Sequence, residues 1–277
     1  MPKITLEEVI AQIEEVPALP TVVVRVMQMT EDPDSTVNDI NRVLSQDQAM
    51  TARVLRLANS AFYGFARRIG SISEAVILLG FKTIRGIVLA AAVSDIMNRS
   101  TDGYALDKGE LWRHSQAAAI AASTIARKVK FSNLDLAFTA SLLHDIGKII
   151  LNKAMKESYL EVVEMVEQEK IIFLEAEYNV LGFHHAMIGG RIAEKWRLPT
   201  DLVEAIEYHH DPMEAKINKE LVAITHVADC ICVSMGIGVG IDGMLYKVSA
   251  EAMELLKLDD MMIEEMIAEL IDLYADL

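Results

Sequence analysis

Seven histidines lie between His114 and His226 of this 277-residue chain, and Asp229 follows the last of them by three positions. They fall as His114, His144, the doublets His184-His185 and His209-His210, and His226. The stretch Ala140-Ser141-Leu142-Leu143-His144-Asp145-Ile146-Gly147-Lys148 closes an apolar run with an imidazole and a carboxylate side by side. Such a pair is costly to bury without a partner. A metal ion is a natural partner, since neutral imidazole and ionised carboxylate both ligate it. Gly147 reads as the residue that permits a sharp exit which a Cβ would obstruct. The remaining histidines are spaced too widely for one ligand loop and describe a site at the centre of a helical bundle, with facing helices each contributing an inward residue. A mixed set of imidazoles and carboxylates suits iron, manganese or zinc better than magnesium or calcium.

The elements that must carry these residues read as all-α. Thr5-Leu-Glu-Glu8 is a capping-box pattern, and Pro17-Ala-Leu-Pro20 ends the first helix. A second helix runs from Thr21 to about Thr30, and the turn Asp32 to Thr36 caps Val37 to Leu44. Gln46 to Asn59 is amphipathic, with Met50, Val54 and Leu57 on one face. Ser71 to Glu74 caps a helix that Gly80 stops, and Lys82 to Met97 forms the next. Polar Asn98 to Ala105 marks a boundary. Beyond it, Asp107-Lys-Gly-Glu110 is another capping pattern, opening a helix to about Lys130 that carries His114, and Asn133 caps the one ending at His144-Asp145. Further helices are expected over Lys153 to Lys170, Leu174 to Leu181, His185 to Trp196, Leu202 to His210 and Lys219 to Val233, with a glycine-rich loop from Gly236 to Gly243. The last helix, Met261 to Leu277, sets Ile263, Met266, Ile267, Leu270, Ile271 and Tyr274 at helical spacing. The chain therefore divides into an N-terminal helical lobe (1–103), a metal-binding helical core (104–235) and C-terminal loop and helices (236–277).

Composition narrows the function classes. Apolar residues make up 52% and charged residues 24%, which is globular rather than disordered. Cys230 and Cys232 are too few for a disulfide framework and read as reduced core thiols. With acidic residues already at Glu7 and Glu8 and no apolar run of about 18 residues, neither a signal peptide nor a membrane span is expected. The expected location is the cytoplasm. A net charge of −15 argues against nucleic acid as a partner, since phosphate neutralisation needs clustered Lys and Arg. Thr51 to Ala90 nevertheless carries six basic residues against Glu74 alone, leaving a local anionic partner open beside the ordinary reading of a solvated face paired with acids.

The order His114, His144-Asp145, His185, His209-His210, Asp229 resembles the HD superfamily of metal-dependent phosphohydrolases, and within it the HD-GYP phosphodiesterase branch. Pro17-Ala-Leu-Pro20, Asn59-Ser-Ala-Phe-Tyr-Gly64, Ile72 to Gly80, Leu181-Gly-Phe-His-His185 and Trp196-Arg-Leu-Pro199 resemble the HDOD family of bacterial signalling proteins. The likeness runs from about Ile13 to Asp229. It implies a two-lobed all-α fold in a regulatory context. It also implies that His114, His144, Asp145 and Asp229 hold one metal and that His185, His209 and His210 hold a second, with Asp145 bridging. Many HDOD members have lost these ligands, whereas this chain keeps the full series. Lys148 would stabilise phosphate charge. In the same likeness His184 is no ligand and reads as an exposed turn residue, while His226 reads either as a donor to Asp229 or as a structural core residue. The Gly-Tyr-Pro segment of the phosphodiesterase branch is absent; the chain reads His209-His-Asp-Pro-Met-Glu214.

Two functions follow from different classes. The first is a regulatory module that presents a surface to a signalling protein, with one or two divalent transition-metal ions in a structural or sensory role. The second is a metal-dependent phosphohydrolase acting on a phosphate-containing small molecule such as a nucleotide or cyclic dinucleotide, with Asp145 and Lys148 as catalytic residues. Binding of nucleic acid through the basic helices ranks third.

Overall fold

A computed structural model describes residues 5–60, 67–240, 243 and 246–275. The Ala61-Phe62-Tyr63-Gly64 part of the turn-rich motif lies outside the described residues, and Tyr274 as a packing residue lies outside the side chains described. Among the described residues there is no strand, only an isolated antiparallel bridge between Thr101 and Leu106. The fold is all-α.

Local chemistry accounts for most helix starts. In α1 (Leu6–Glu15) Thr5 and Glu8 form the expected reciprocal box, with the Thr5 N–H donating to Glu8 at 2.7 Å and the Glu8 N–H to Thr5 at 3.2 Å. Thr36 and Asp39 repeat it at α3 (Val37–Leu44), and Asp47 caps α4 (Gln48–Ala58). α2 (Thr21–Glu31) follows Pro20. The apolar segment α5 (Ile72–Met97) is long enough to span a membrane by length and composition, but Gly80 (φ 81°, ψ 167°) breaks it and half of its most apolar window is buried. Two core helices joined at a glycine give that pattern.

By compactness the chain forms two units. One is Met1–Pro17 with Ile96–Ala268; the other is Ala18–Asp95 with Glu269–Leu277. α1 thus groups with the histidine-bearing helices, and the chain passes from one unit to the other within α5. In the Ala18–Asp95 unit the core is built from Val23, Val26, Ile40, Leu44, Met50, Val54 and the buried side of α5. Much of its basic stretch is paired: Arg53 with Asp95, Arg67 with Glu74 at 2.6 Å and Arg85 with Glu31 at 3.1 Å.

The other unit holds every histidine. α6 (Glu110–Lys128) packs against α7 (Leu134–Leu143) and α12 (Lys219–Ser234), and buried Ala117 to Ala122 let the backbones approach closely. Gly109 (φ 88°) opens α6 without a side-chain cap, in place of the expected capping pattern. α8 (Lys148–Glu169) begins five residues earlier than the sequence indicates, directly after Gly147. It packs on α9 (Phe173–Leu181) and α10 (His185–Lys195), and α10 packs on α11 (Thr200–Glu207). The short α13 (Ala250–Leu256) lies on α12, and α14 (Asp260–Ala275) follows. The apolar stripe of α14 is narrower than its spacing indicates: Met266 and Leu270 are buried, but Ile271 is 55% exposed.

Gly147 has ordinary helical dihedrals (φ −66°, ψ −24°), so no unusual turn requires it. Its role is close approach, because a Cβ there would run into the His185 carbonyl and come within 2.7 Å of the Gly189 nitrogen. Both obstacles are backbone. Gly147→Ala should therefore lower stability by about 3 kcal/mol, the upper part of the usual overpacking range. A urea-unfolding midpoint equal to that of the unsubstituted protein would refute this packing role.

Candidate metal centre

Five elements of one unit converge on a point. His114 comes from the first turns of α6, His144 and Asp145 from the turn between α7 and α8, and His185 from the first residue of α10. His209 and His210 follow α11, and Asp229 lies on α12. Apart from half-buried His210, each is buried.

Four of the rings are held by Nδ1. His114 contacts the Ile237 carbonyl at 2.9 Å, His144 the Ser141 carbonyl at 2.6 Å and His209 the Ile206 carbonyl at 2.8 Å, while His185 contacts Glu177 Oε2 at 2.7 Å. Carbonyls and carboxylates only accept, so each Nδ1 carries the donated hydrogen, and in its neutral form each ring presents a lone pair at Nε2. Every one of those Nε2 atoms faces a carboxylate. His114 Nε2 lies 2.9 Å from Asp229 Oδ1, and His144 Nε2 lies 3.4 Å from Asp145 Oδ2 and 3.5 Å from Asp229 Oδ1. On the other side, His185 Nε2 is 3.4 Å and His209 Nε2 3.9 Å from Asp145 Oδ1. Asp145 is thus the hub, with one oxygen turned to each set of imidazoles.

Lone pairs facing carboxylate oxygens repel unless a proton or a metal cation stands between them. The buried atoms His144 Nε2, Asp145 Oδ1, His209 Nε2 and His210 Nδ1 have no hydrogen-bond partner, and three sets of ligand atoms come within 4.8 Å of one another: His114, His144 and Asp229; His144, Asp145 and His209; His185, His209 and His210. Donor types, tautomers and unpartnered atoms all fit a divalent transition metal.

The electrostatics agree. Burial works against a charged His144, but the Asp145 and Asp229 carboxylates outweigh it and raise its pKa to about 9. Burial would likewise raise both carboxylates, yet the imidazoles around them, His144 foremost, hold both far below the usual range. His209 and His210 are pushed down, first by burial and then by neighbouring imidazoles, which keeps them in the neutral form a metal requires. Lys148 is buried and places Nζ 2.5 Å from Asp145 Oδ2, so its charge is already committed to the hub.

The remaining histidines have other work. His184 is half-buried rather than exposed and caps α10, accepting from the Met187 N–H at 3.3 Å. His226 resolves to the structural alternative: its Nδ1 meets the His209 carbonyl at 2.8 Å and its Nε2 accepts from the Ser249 N–H at 2.9 Å. Through the His209 carbonyl it steadies the doublet. Glu177 and Tyr104 were not visible as site residues. A signal existed for Glu177, which takes a core position in the stripe Phe173, Ala176, Glu177, Val180 and Leu181 of α9. Ile237 contributes only a carbonyl, for which a sequence has no sign. Burial raises both cysteine thiols, so Cys230 and Cys232 are inert core groups.

Comparison with known proteins agrees with this architecture. An HDOD domain protein of unknown function from Geobacter sulfurreducens superposes with a TM-score of 0.77 at 28% identity, covering 98% of this chain and 97% of that one. A candidate phosphohydrolase from Shewanella amazonensis shares the fold at TM-score 0.73 and 24% identity, covering 97% and 94%. An uncharacterized protein of Treponema pallidum is 25% identical over 72% of this chain, which spans only 38% of that relative's length. The HDOD domain family itself matches residues 16–212, and with most of the chain inside that match the protein belongs to the HDOD family.

Proposed function

We propose that this protein is a cytoplasmic signalling module of the HDOD type, in which a divalent transition-metal centre, dinuclear around Asp145, holds the histidine-bearing unit together and a signalling protein reads its state. The observation that carries this reading is closure. His114, His144, Asp145, His185, His209 and Asp229 are each at most 4% exposed, and Lys148 is 3% exposed and paired with the hub. Structural metal sites are closed, whereas catalytic ones keep a position open to substrate. One ion would take His114, His144, Asp145 and Asp229; the other would take His185, His209 and His210, with Asp145 shared. The buried free thiols suit a reducing compartment.

A second reading, metal-dependent phosphohydrolase, is favoured by the complete ligand set and by half-buried His210, the one ligand with an edge toward solvent. An ion pair would supply Lewis acidity toward a phosphoryl group. This chain's own part would be to orient the ions through Asp145 and to hold Lys148 beside them. Turnover would need Lys148 to leave Asp145 for the phosphate, which the ions would permit by taking over neutralisation of that carboxylate.

Elemental analysis of the purified protein should find one to two equivalents of iron, manganese or zinc. Stripping them with a chelator should lower thermal stability, because metal-binding free energy here is also folding free energy. A stripped protein with an unchanged melting temperature would remove the basis of both readings. Metal-free His144, with its pKa near 9, is protonated at pH 7. Loading should therefore release a proton, and affinity should rise with pH up to about 9; proton release is measurable in weakly buffered solution.

Asp145→Ala separates the two readings. If the centre is structural, the variant should lose metal and about 3–5 kcal/mol of stability, since the buried Lys148 charge loses the carboxylate that offsets it, and the metal-loaded wild type should hydrolyse no linear, cyclic or mononucleotide phosphoester. Metal-dependent hydrolysis by wild type, abolished in a folded Asp145→Ala variant, would reverse the ranking.

A further inference from the structure

Two buried carboxylates stand outside the metal-facing set, Glu204 and Glu177, and only Glu177 hydrogen-bonds a candidate ligand. Glu177 accepts at Oε2 from the His185 backbone N–H at 3.1 Å and from His185 Nδ1 at 2.7 Å, and at Oε1 from the Tyr104 hydroxyl. Glu177 and Tyr104 are both fully buried. Tyr104 belongs to a short 3-10 turn, Asp102–Tyr104, in the connector between α5 and α6. That turn is fastened to α8: the Gly103 N–H donates to Asn152 Oδ1 at 2.8 Å, and Lys156 Nζ lies 3.2 Å from Asp102 Oδ2. Any side chain at Gly103 would collide with the backbone of Asn152 and Lys156.

We propose that Glu177, with Tyr104 fixing its far oxygen, is the positioning residue that sets the His185 ring for metal, and that this relay ties the 101–106 connector turn to occupancy of the His185, His209 and His210 group. The inference rests on the reading that this group holds an ion. Either nitrogen of a free imidazole can carry the proton. A carboxylate at Nδ1 removes that choice, leaves the Nε2 lone pair toward Asp145 and His210, and makes the ring a stronger donor to metal. Backbone carbonyls do the same for His114, His144 and His209. Of these four metal-facing rings, only His185 is held at Nδ1 by a side chain, so its orientation is the one a substitution can release. Coupling between sites is reciprocal. If the relay prepares His185 for metal, metal on His185 must steady Tyr104 and its turn.

The test uses the full chain with zinc as probe, and Glu177→Gln and Tyr104→Phe as variants. Zinc binding is followed by competition with a chromophoric chelator, the His185 tautomer by imidazole nitrogen NMR, and the 101–106 amides by hydrogen exchange. Wild type should bind two zinc ions and protect the turn on loading. Glu177→Gln should keep one ion, bind the other roughly 10–100-fold more weakly, redistribute the tautomer and lose the zinc-induced protection. Tyr104→Phe, which removes only a hydroxyl, should shift all three in the same direction by less, and it carries the test if Glu177→Gln fails to fold. If a folded Glu177→Gln binds both ions with wild-type affinity and still protects the turn, the relay is only structural and the proposal falls alone. If zinc leaves the imidazole signals of His185, His209 and His210 unchanged in wild type, the metal reading fails for this group and the proposal falls with it.

Discussion

The structure depends on keeping the Asp145 carboxylate ionised inside a helical core. A carboxylate that is 1% exposed is strongly disfavoured unless positive charge or hydrogen-bond donors surround it. Lys148 covers one oxygen and imidazoles face both, but a neutral imidazole has its single hydrogen engaged at Nδ1 and cannot donate to the carboxylate through Nε2. A divalent cation is the species that satisfies all of them together. The surrounding architecture follows from bringing the hub and its ring of imidazoles within reach. Gly147 and Gly189 let the start of α8 close on α10, the alanine face of α6 draws His114 toward α12, and His226 pins the His209 carbonyl.

Much of this was legible in the sequence because side chains that do chemistry announce themselves. The histidine series, the His144-Asp145 pair and Asp229 do converge, and the helical periods gave the fold class and most helix starts. What stayed hidden has a common physical cause. The tautomers are set chiefly by the carbonyls of Ile237, Ser141 and Ile206, and a carbonyl is the same in every residue. Glu177 was hidden differently, since an acid among helical positions is usually solvated and only its place in an apolar stripe marks it as buried. Gly147 was read as a turn residue when its dihedrals are those of a helix. Close approach of two backbones is a tertiary fact, and one-dimensional spacing does not carry it.

The division of the chain shows the same limit. Polar composition near Asn98 to Ala105 marks a change of environment, yet compactness places the passage inside α5 and groups α1 with the later helices. The reason lies in α1's own contacts. Lys195 donates to the Ile13 and Glu14 carbonyls at 2.8 and 2.5 Å, and the Trp196 ring N–H donates to the Pro17 carbonyl at 3.1 Å, so the end of α10 caps the end of α1 across most of the unit's sequence length. Sequence order and packing partner part company there.

A closed metal centre of the kind proposed would constrain what a regulator built on it could do. Where the ligands come from several helices, the ion's binding free energy is shared by every element that supplies one, and occupancy changes the stability of the unit rather than the shape of one loop. Such a centre responds to metal supply in steps, because removing one ligand strands buried charge on the others. On that reading it would be poorly suited to admit and release a substrate many times a second, since each opening would expose Asp145 and Asp229 without their partners. The same feature that makes the site look catalytic in sequence, its complete set of histidines and aspartates, is what closes it in three dimensions. Five inward imidazoles and two carboxylates would offer an ion pair protein ligands on every buried side and leave His210 as the one candidate ligand with an edge toward solvent.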